Sequence, residues 1–308
     1  MTKIALSICI GFFFLACHDL QSQDKFTEIR TGYQEVNTDE YELIRPKSEA
    51  EAVLILFGGY PERAVDIRRE FKIADLAIDN KVAVVFMNYS RKLWLEIGEK
   101  EDVARGLQEM LVQHQLPMSN VYIGGFSSGG NVAFLVSSYL MEQKDYLLAV
   151  KGVFLVDSPI DLAALYYSAE KNVKRNFSAP SVDEGKWLIK ELGKNFGEPE
   201  NNLEKYASYS VYNHEIGNIK NLEALVKTQI RLYTEPDIDW WQKHRKAEYE
   251  QMNAYYIKSL SETLVNHGFK LVEYIATEDK GYRANGDRHP HSWSIVDRQE
   301  LINWILGR

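Results

Sequence analysis

Apolar residues fall along this chain in two alternating forms. "AVLILF" (Ala52–Phe57) and "VAVVFMNY" (Val82–Tyr89) are nearly unbroken apolar runs, as expected of strands covered on both faces of a sheet. "AVDIRREFKIADLAIDN" and "EKEDVARGLQEMLVQHQ", which follow them, spread their apolar residues at helical spacing, the second opening on an acidic first turn. The same rhythm continues with the strand "SNVYI", the helix "NVAFLVSSYLMEQ" (Asn131–Gln143) and the strand "KGVFLVDSP" (Lys151–Pro159). From about 162 to 221 it lapses into a polar stretch rich in Lys, Glu, Asn and Tyr, with helix-like pieces such as "DEGKWLIKELGKNFG". It resumes with "TQIRLYTEPD", the helix "AEYEQMNAYYIKSLSETLVNHG", the strand "KLVEYIA" and a last helix "DRQELINWILGR". "TEIRTGYQEV" and "YELIRP" near the start are short and mixed, as edge strands are. Repeated strand–helix units predict an α/β fold: a doubly wound, mostly parallel sheet over residues 27–308, with a helical cap insert at about 162–221.

Composition narrows the partners. The 308 residues are 45% hydrophobic and 26% charged, enough for a sizeable core, and the formal net charge of −8 with no basic run argues against a nucleic-acid partner. The N-terminus reads differently. Lys3 precedes an apolar run, Ile4 to Ala16, that is too short to span a membrane and has the length of a signal-peptide core. It ends in "FLAC", which resembles the lipobox of bacterial lipoproteins, with Phe14 where Leu is usual. That resemblance implies a signal peptide at 1–16 and lipidation of Cys17. It also implies a polar tether at 17–26 and attachment through the lipid to a membrane of the bacterial envelope. Cys9 leaves with the signal, so the mature chain has no partner for a disulfide.

Candidate chemistry centres on "GGFSSGG", Gly124 to Gly130, between a strand and a helix. A phosphate loop would need a Lys here, and a dinucleotide fingerprint would need a glycine spacing that Phe126 breaks. Gly-x-Ser-x-Gly fits in one register, Gly125-Phe126-Ser127-Ser128-Gly129. A serine on a sharp strand-to-helix turn brings the residues two positions away on each side close together, so both must be small. Ser127 is the candidate nucleophile. Such a serine needs a base, an acid to orient the base, and donors for the oxyanion, all at carboxyl ends of parallel strands. After the last strand, "TEDKGYRANGDRHPHSWS" offers His291, leading into the final helix with Trp293 to pack beside it, and His289 as the alternative. "TEPDIDWW" offers Asp237, just past a strand and a proline, with Glu235 and Asp239 beside it; Asp157, after the preceding strand, is a more distant candidate. The amides of Ser128 and of Tyr60, in the glycine turn "GGYPER", are candidate oxyanion donors. This chemistry requires no metal and no organic cofactor, and two histidines without a carboxylate cluster make a weak metal site.

These residues together resemble the α/β-hydrolase fold family: the Gly125–Gly129 turn, the glycine turn at Gly58 to Pro61, and the order Ser127, Asp237, His291. "GGYPE" is similar to the family's His-Gly-x-Pro stretch with Gly58 in place of His; the His-Gly-Gly-Gly form of many lipases is absent. The resemblance implies a serine hydrolase, with a carboxylesterase acting on a small ester as the first reading. A serine peptidase or amidase and a non-catalytic binding lipoprotein are the alternatives. Tyr166, Tyr167 and Trp187 in the insert are candidates either for a substrate pocket or for the cap's own core.

Overall fold

The computed structural model describes residues 25–26, 32–89 and 92–308; the expected signal segment and Cys17 lie outside the described residues. Among the described residues nine strands form one sheet in the order β1-β2-β3-β5-β4-β6-β7-β8-β9. They are β1 Lys25–Phe26, β2 Tyr33–Asn37, β3 Tyr41–Pro46, β4 Ala52–Phe57, β5 Val82–Met87, β6 Val121–Phe126, β7 Val150–Val156, β8 Gln229–Thr234 and β9 Val272–Ala276. β1, β2 and β3 pair antiparallel, as does β3 with β5; every pairing from β5 to β9 is parallel. All residues of β4, β5 and β6 are buried, which is why they read as continuous apolar runs. β3 alternates with partly exposed positions, as an outer strand does.

Side chains leaving alternate faces of the sheet build two cores. Val53, Ile55 and Phe57 face one side, with α3 (Ile97–Gln113), α4 (Ser128–Glu142) and α9 (Asn253–Asn266) packed over them. Leu54 and Leu56 face the other, under α1 (Ala64–Phe71), α2 (Ala74–Asp79) and α10 (Arg298–Leu306). The single amphipathic segment expected after β4 is two helices, broken where Lys72 takes a left-handed conformation (φ 50°). α4 is the most enclosed helix: its first residues, Ser128 to Asn131, are all buried.

Between β7 and β8 the chain leaves the sheet as α5 (Leu162–Arg175), α6 (Ala179–Phe196) and α7 (Pro199–Tyr209). These helices pack on each other through a third core that includes Leu162, Tyr166, Leu188, Leu192, Phe196 and Tyr206. The excursion starts and ends at one point. Asp161 caps α5 by accepting from the amides of Ala163 and Ala164, and its other carboxylate oxygen accepts from the amide of His214 at 2.7 Å. The Tyr212 amide donates to the Ile160 carbonyl (3.1 Å), and Ser210 Oγ accepts from the Leu162 amide (3.1 Å). Among the described residues no helix is long and apolar enough to cross a membrane.

Candidate active site

The turn between β6 and α4 carries Ser127 at φ 52°, ψ −130°, a conformation that costs a non-glycine residue of order 1–3 kcal/mol unless its surroundings enforce it. The surroundings here do so. The Ser127 amide donates to the Val156 carbonyl of β7 (2.9 Å), and the Ser127 carbonyl accepts from the Gly130 amide (3.0 Å). A methyl group on Gly125 would overlap the backbone carbonyl of Gly129, and one on Gly129 would overlap the carbonyls of Phe57 and Gly58. Strand end and helix start therefore touch through bare backbone. Ser127 is left half-buried at the N-terminus of a 15-residue helix, facing a cavity.

His291 lines that same cavity. Its Nδ1 lies 2.6 Å from Oδ2 of Asp157. An ionised carboxylate only accepts, so Nδ1 carries a hydrogen, and in the neutral ring Nε2 is then the nitrogen with the lone pair. Asp157, 4% exposed, follows the last residue of β7 in a positive-φ conformation (φ 47°). Its second oxygen accepts from Thr234 Oγ1 (2.9 Å) and its carbonyl from Asn253 Nδ2 (2.8 Å). The histidine loop and β8 thus hold the carboxylate of Asp157, and α9 holds its backbone.

Asp237, the acid favoured from the sequence, is not on His291. It caps α8 (Ile238–Arg245), accepting from the Trp240 amide (2.9 Å), and its other oxygen takes Arg288 at 2.6 Å. Glu235 is also committed: one oxygen accepts from the amides of Lys280 and Gly281 and from Thr277 Oγ1, and Arg288 closes on the other. Asp239 is exposed in the first turn of α8. The acidic cluster past β8 therefore shapes the histidine loop from below, while the contact to His291 comes from the end of β7. The ring beside His291 is Phe126, 4.4 Å away; Trp293, expected there, lies behind it, 5.5 Å from Phe126 and stacked on Phe71.

His289 sits in the same cavity wall, between Trp240 (4.7 Å) and His291 (6.3 Å between rings). Burial, then the neighbouring His291, Arg283 and Arg245, push its imidazole down to about 3, so it stays neutral. No carboxylate contacts its ring among the described residues.

Of the two expected oxyanion donors, the Tyr60 amide is turned to the side chain of Ser128. It donates to Ser128 Oγ at 3.1 Å, which ties the loop after β4 to the first residue of α4. Glu62, two residues on, braces that loop: its carboxylate accepts from the Gly59 amide (3.0 Å) and from Trp293 Nε1 (3.2 Å). Burial raises the Glu62 carboxyl, against the pull of those hydrogen bonds. The sequence reading did not single out Glu62; its only signal was its place in the glycine turn.

The cavity measures about 630 Å³. Tyr60 to Glu62, Phe126 and Ser127 form its floor, the histidine loop and α8 one wall, and Leu165, Ala169 and Leu188 of the insert its roof. At the rim, Trp187 of α6 stacks on Tyr60 with ring centres 5.5 Å apart and planes 16° apart. Of the other insert aromatics, Tyr166 is in the insert's core and Tyr167 stands partly exposed beside it.

No family model and no curated protein matches the chain. Solved structures do. An esterase of the fungus Rhizomucor miehei is 18% identical over 92% of this chain and 81% of its own, with a TM-score of 0.52. A carboxyl esterase of the mycorrhizal fungus Tuber melanosporum is 16% identical over 92% of this chain and 87% of its own, TM-score 0.53. An esterase/lipase from an uncultured bacterium is 14% identical over 92% and 88%, TM-score 0.55. At these identities the likeness is one of architecture, and the chain has the α/β-hydrolase fold.

Proposed function

We propose that this protein is a serine hydrolase, a carboxylesterase by first reading, that works through an acyl-enzyme. One observation carries the reading: a positive-φ serine at a helix N-terminus shares a cavity with a histidine whose Nδ1 is held by a buried carboxylate. In this reading Ser127 attacks the carbonyl carbon of the ester while Nε2 of His291 takes its proton. Asp157 keeps His291 in the right tautomer and stabilises the imidazolium that forms. The tetrahedral oxyanion draws on the Ser128 amide and on the Tyr60 amide, which must exchange Ser128 Oγ for the oxyanion. His291 then returns the proton to the leaving alcohol, and water repeats the sequence on the acyl-enzyme. That structural neighbours are esterases supports an ester as the first reading of the substrate, by analogy of fold. We further propose that Cys17 is lipidated and holds the domain at a membrane of the bacterial envelope, on the strength of the lipobox-like "FLAC".

The test is covalent labelling with a fluorophosphonate, read by mass spectrometry, beside hydrolysis of 4-nitrophenyl butyrate. Ser127→Ala is expected to lose both label and turnover. Ser128→Ala is expected to keep the label and a measurable rate. An unlabelled wild-type protein, or a label on another serine, overturns the reading in favour of a binding protein with this fold.

A further inference from the structure

The charges in the cavity do not balance locally. Glu62, Asp66, Glu70 and Glu184 line it; Glu184 stands exposed on α6, and the other three are already engaged. Glu62 holds the Gly59 amide and Trp293, Asp66 the Arg63 amide and Arg69, and Glu70 the Ala284 amide and Arg69. Arg69 is thereby spent as well. Two further guanidiniums line the cavity, Arg283 and Arg245. Among the described residues, neither side chain forms an ion pair or a hydrogen bond. Arg283 lies over the face of Phe126, 5.8 Å from the ring centre, and Phe126 is the residue before Ser127 and packs on His291. Arg245 ends α8, where its carbonyl accepts from Arg175 of the insert (3.4 Å). Both stand at partial burial. Both also contribute to keeping His289 neutral.

A partly buried guanidinium gives up water, and that loss is recovered when a planar oxyacid supplies paired hydrogen bonds. In a chain of net charge −8, two such groups in the cavity of the candidate nucleophile are not general surface charge.

We propose that Arg283 and Arg245 form an anion-recognition subsite, and that the substrates of this cavity are esters carrying a carboxylate. Only the hydrolysis of such esters rests on the serine-hydrolase reading; anion binding does not. The carboxylate can belong to the acyl part, as in a half-ester of a dicarboxylic acid, or to the alcohol part, as in an acylated hydroxy acid.

Two measurements separate the two readings. Calorimetric titration of Ser127→Ala with adipate and with 4-hydroxybenzoate reads the subsite without turnover. Binding of at least one anion is expected, weakening with added salt and about tenfold or more in the added Arg283→Met or Arg245→Met background. The same change at Arg69, already paired, is expected to leave anion binding as it was. Hydrolysis then compares mono-4-nitrophenyl adipate with 4-nitrophenyl hexanoate, and 4-acetoxybenzoate with its methyl ester. In at least one pair the anionic ester is expected to be favoured about tenfold in kcat/KM, with the ratio collapsing towards one in Arg283→Met. The pair that responds identifies the side of the ester that carries the charge. If neither anion binds and neither anionic ester is favoured, the subsite is overturned, while turnover of the neutral esters leaves the hydrolase reading standing. If the anions bind in an arginine-dependent way but no ester is cleaved, the hydrolase reading falls and the subsite stands.

Discussion

A carboxylate placed 2.6 Å from an imidazole nitrogen decides which nitrogen is left to act as a base. Asp157→Asn keeps shape but offers an amide that can hold the ring in the wrong tautomer. In the proposed mechanism it is expected to lower kcat on 4-nitrophenyl butyrate by about ten-thousand-fold. Asp237→Asn removes one of the carboxylate partners of Arg288, which keeps Glu235, and weakens the cap of α8, so its expected cost is within about tenfold. The reverse ranking in steady-state kinetics would return the acid to Asp237. Sequence alone places four acids just beyond strand ends and favours Asp237 for its place past a strand and a proline, with Asp157 the most distant candidate. What reverses that order is lateral position in the sheet: β7 lies next to β6 and next to β8, so its end is one strand from Ser127 and within reach of a loop returning from β9. Arg288, in that same loop, neutralises the Asp237 side. A one-dimensional pattern carries neither fact. Ser127 and His291, by contrast, are marked by local sequence, the one by its flanking glycines and the other by its place before the last helix.

At the scale of elements, the strand–turn–helix that bears Ser127 leaves no room for side chains at Gly125 and Gly129. Gly125→Ala would drive a methyl group into the carbonyl of Gly129. The methyl position is fixed by the backbone and every atom it meets is backbone, so no side-chain rotation relieves it. The expected loss is about 3 kcal/mol or more in urea unfolding, the upper end of ordinary overpacking. Gly106, on the exposed face of α3, meets open space, and Gly106→Ala is expected to stabilise by about 0.5–1 kcal/mol in the same experiment. Equal effects at the two sites would mean that the turn is looser than its geometry states. Elements that bury a stripe or a whole strand were readable from their periodicity. α8 was not: none of its eight residues is buried, so no apolar period marks it, and it stands because Asp237 caps it.

For the whole molecule, the parallel sheet was legible because strands covered on both faces must be apolar throughout. The insert was legible only as a break in that rhythm, since its helices bury their apolar faces against one another instead of against the sheet. Attachment of the whole body to a membrane depends, in the reading above, on one residue outside the fold. Cys17→Ser is expected to move the protein from the membrane pellet to the soluble fraction, or to leave it as an unprocessed precursor, when fractions are probed by immunoblot. A wild-type protein recovered entirely in the soluble fraction would remove the anchor.

The single carboxylate of Asp161, which caps the start of the insert and also takes the amide of His214 where the chain returns, has a consequence for how this molecule can change. An insert whose two ends meet is a module. Its length and helix count can drift, or be replaced by recombination, while the strands on either side keep their register. The floor of the cavity would then be inherited with the sheet and its roof exchanged separately. A graft that keeps Ile160, Asp161 and residues 210–214 as its seams is the form in which a new roof would arrive on an unchanged floor.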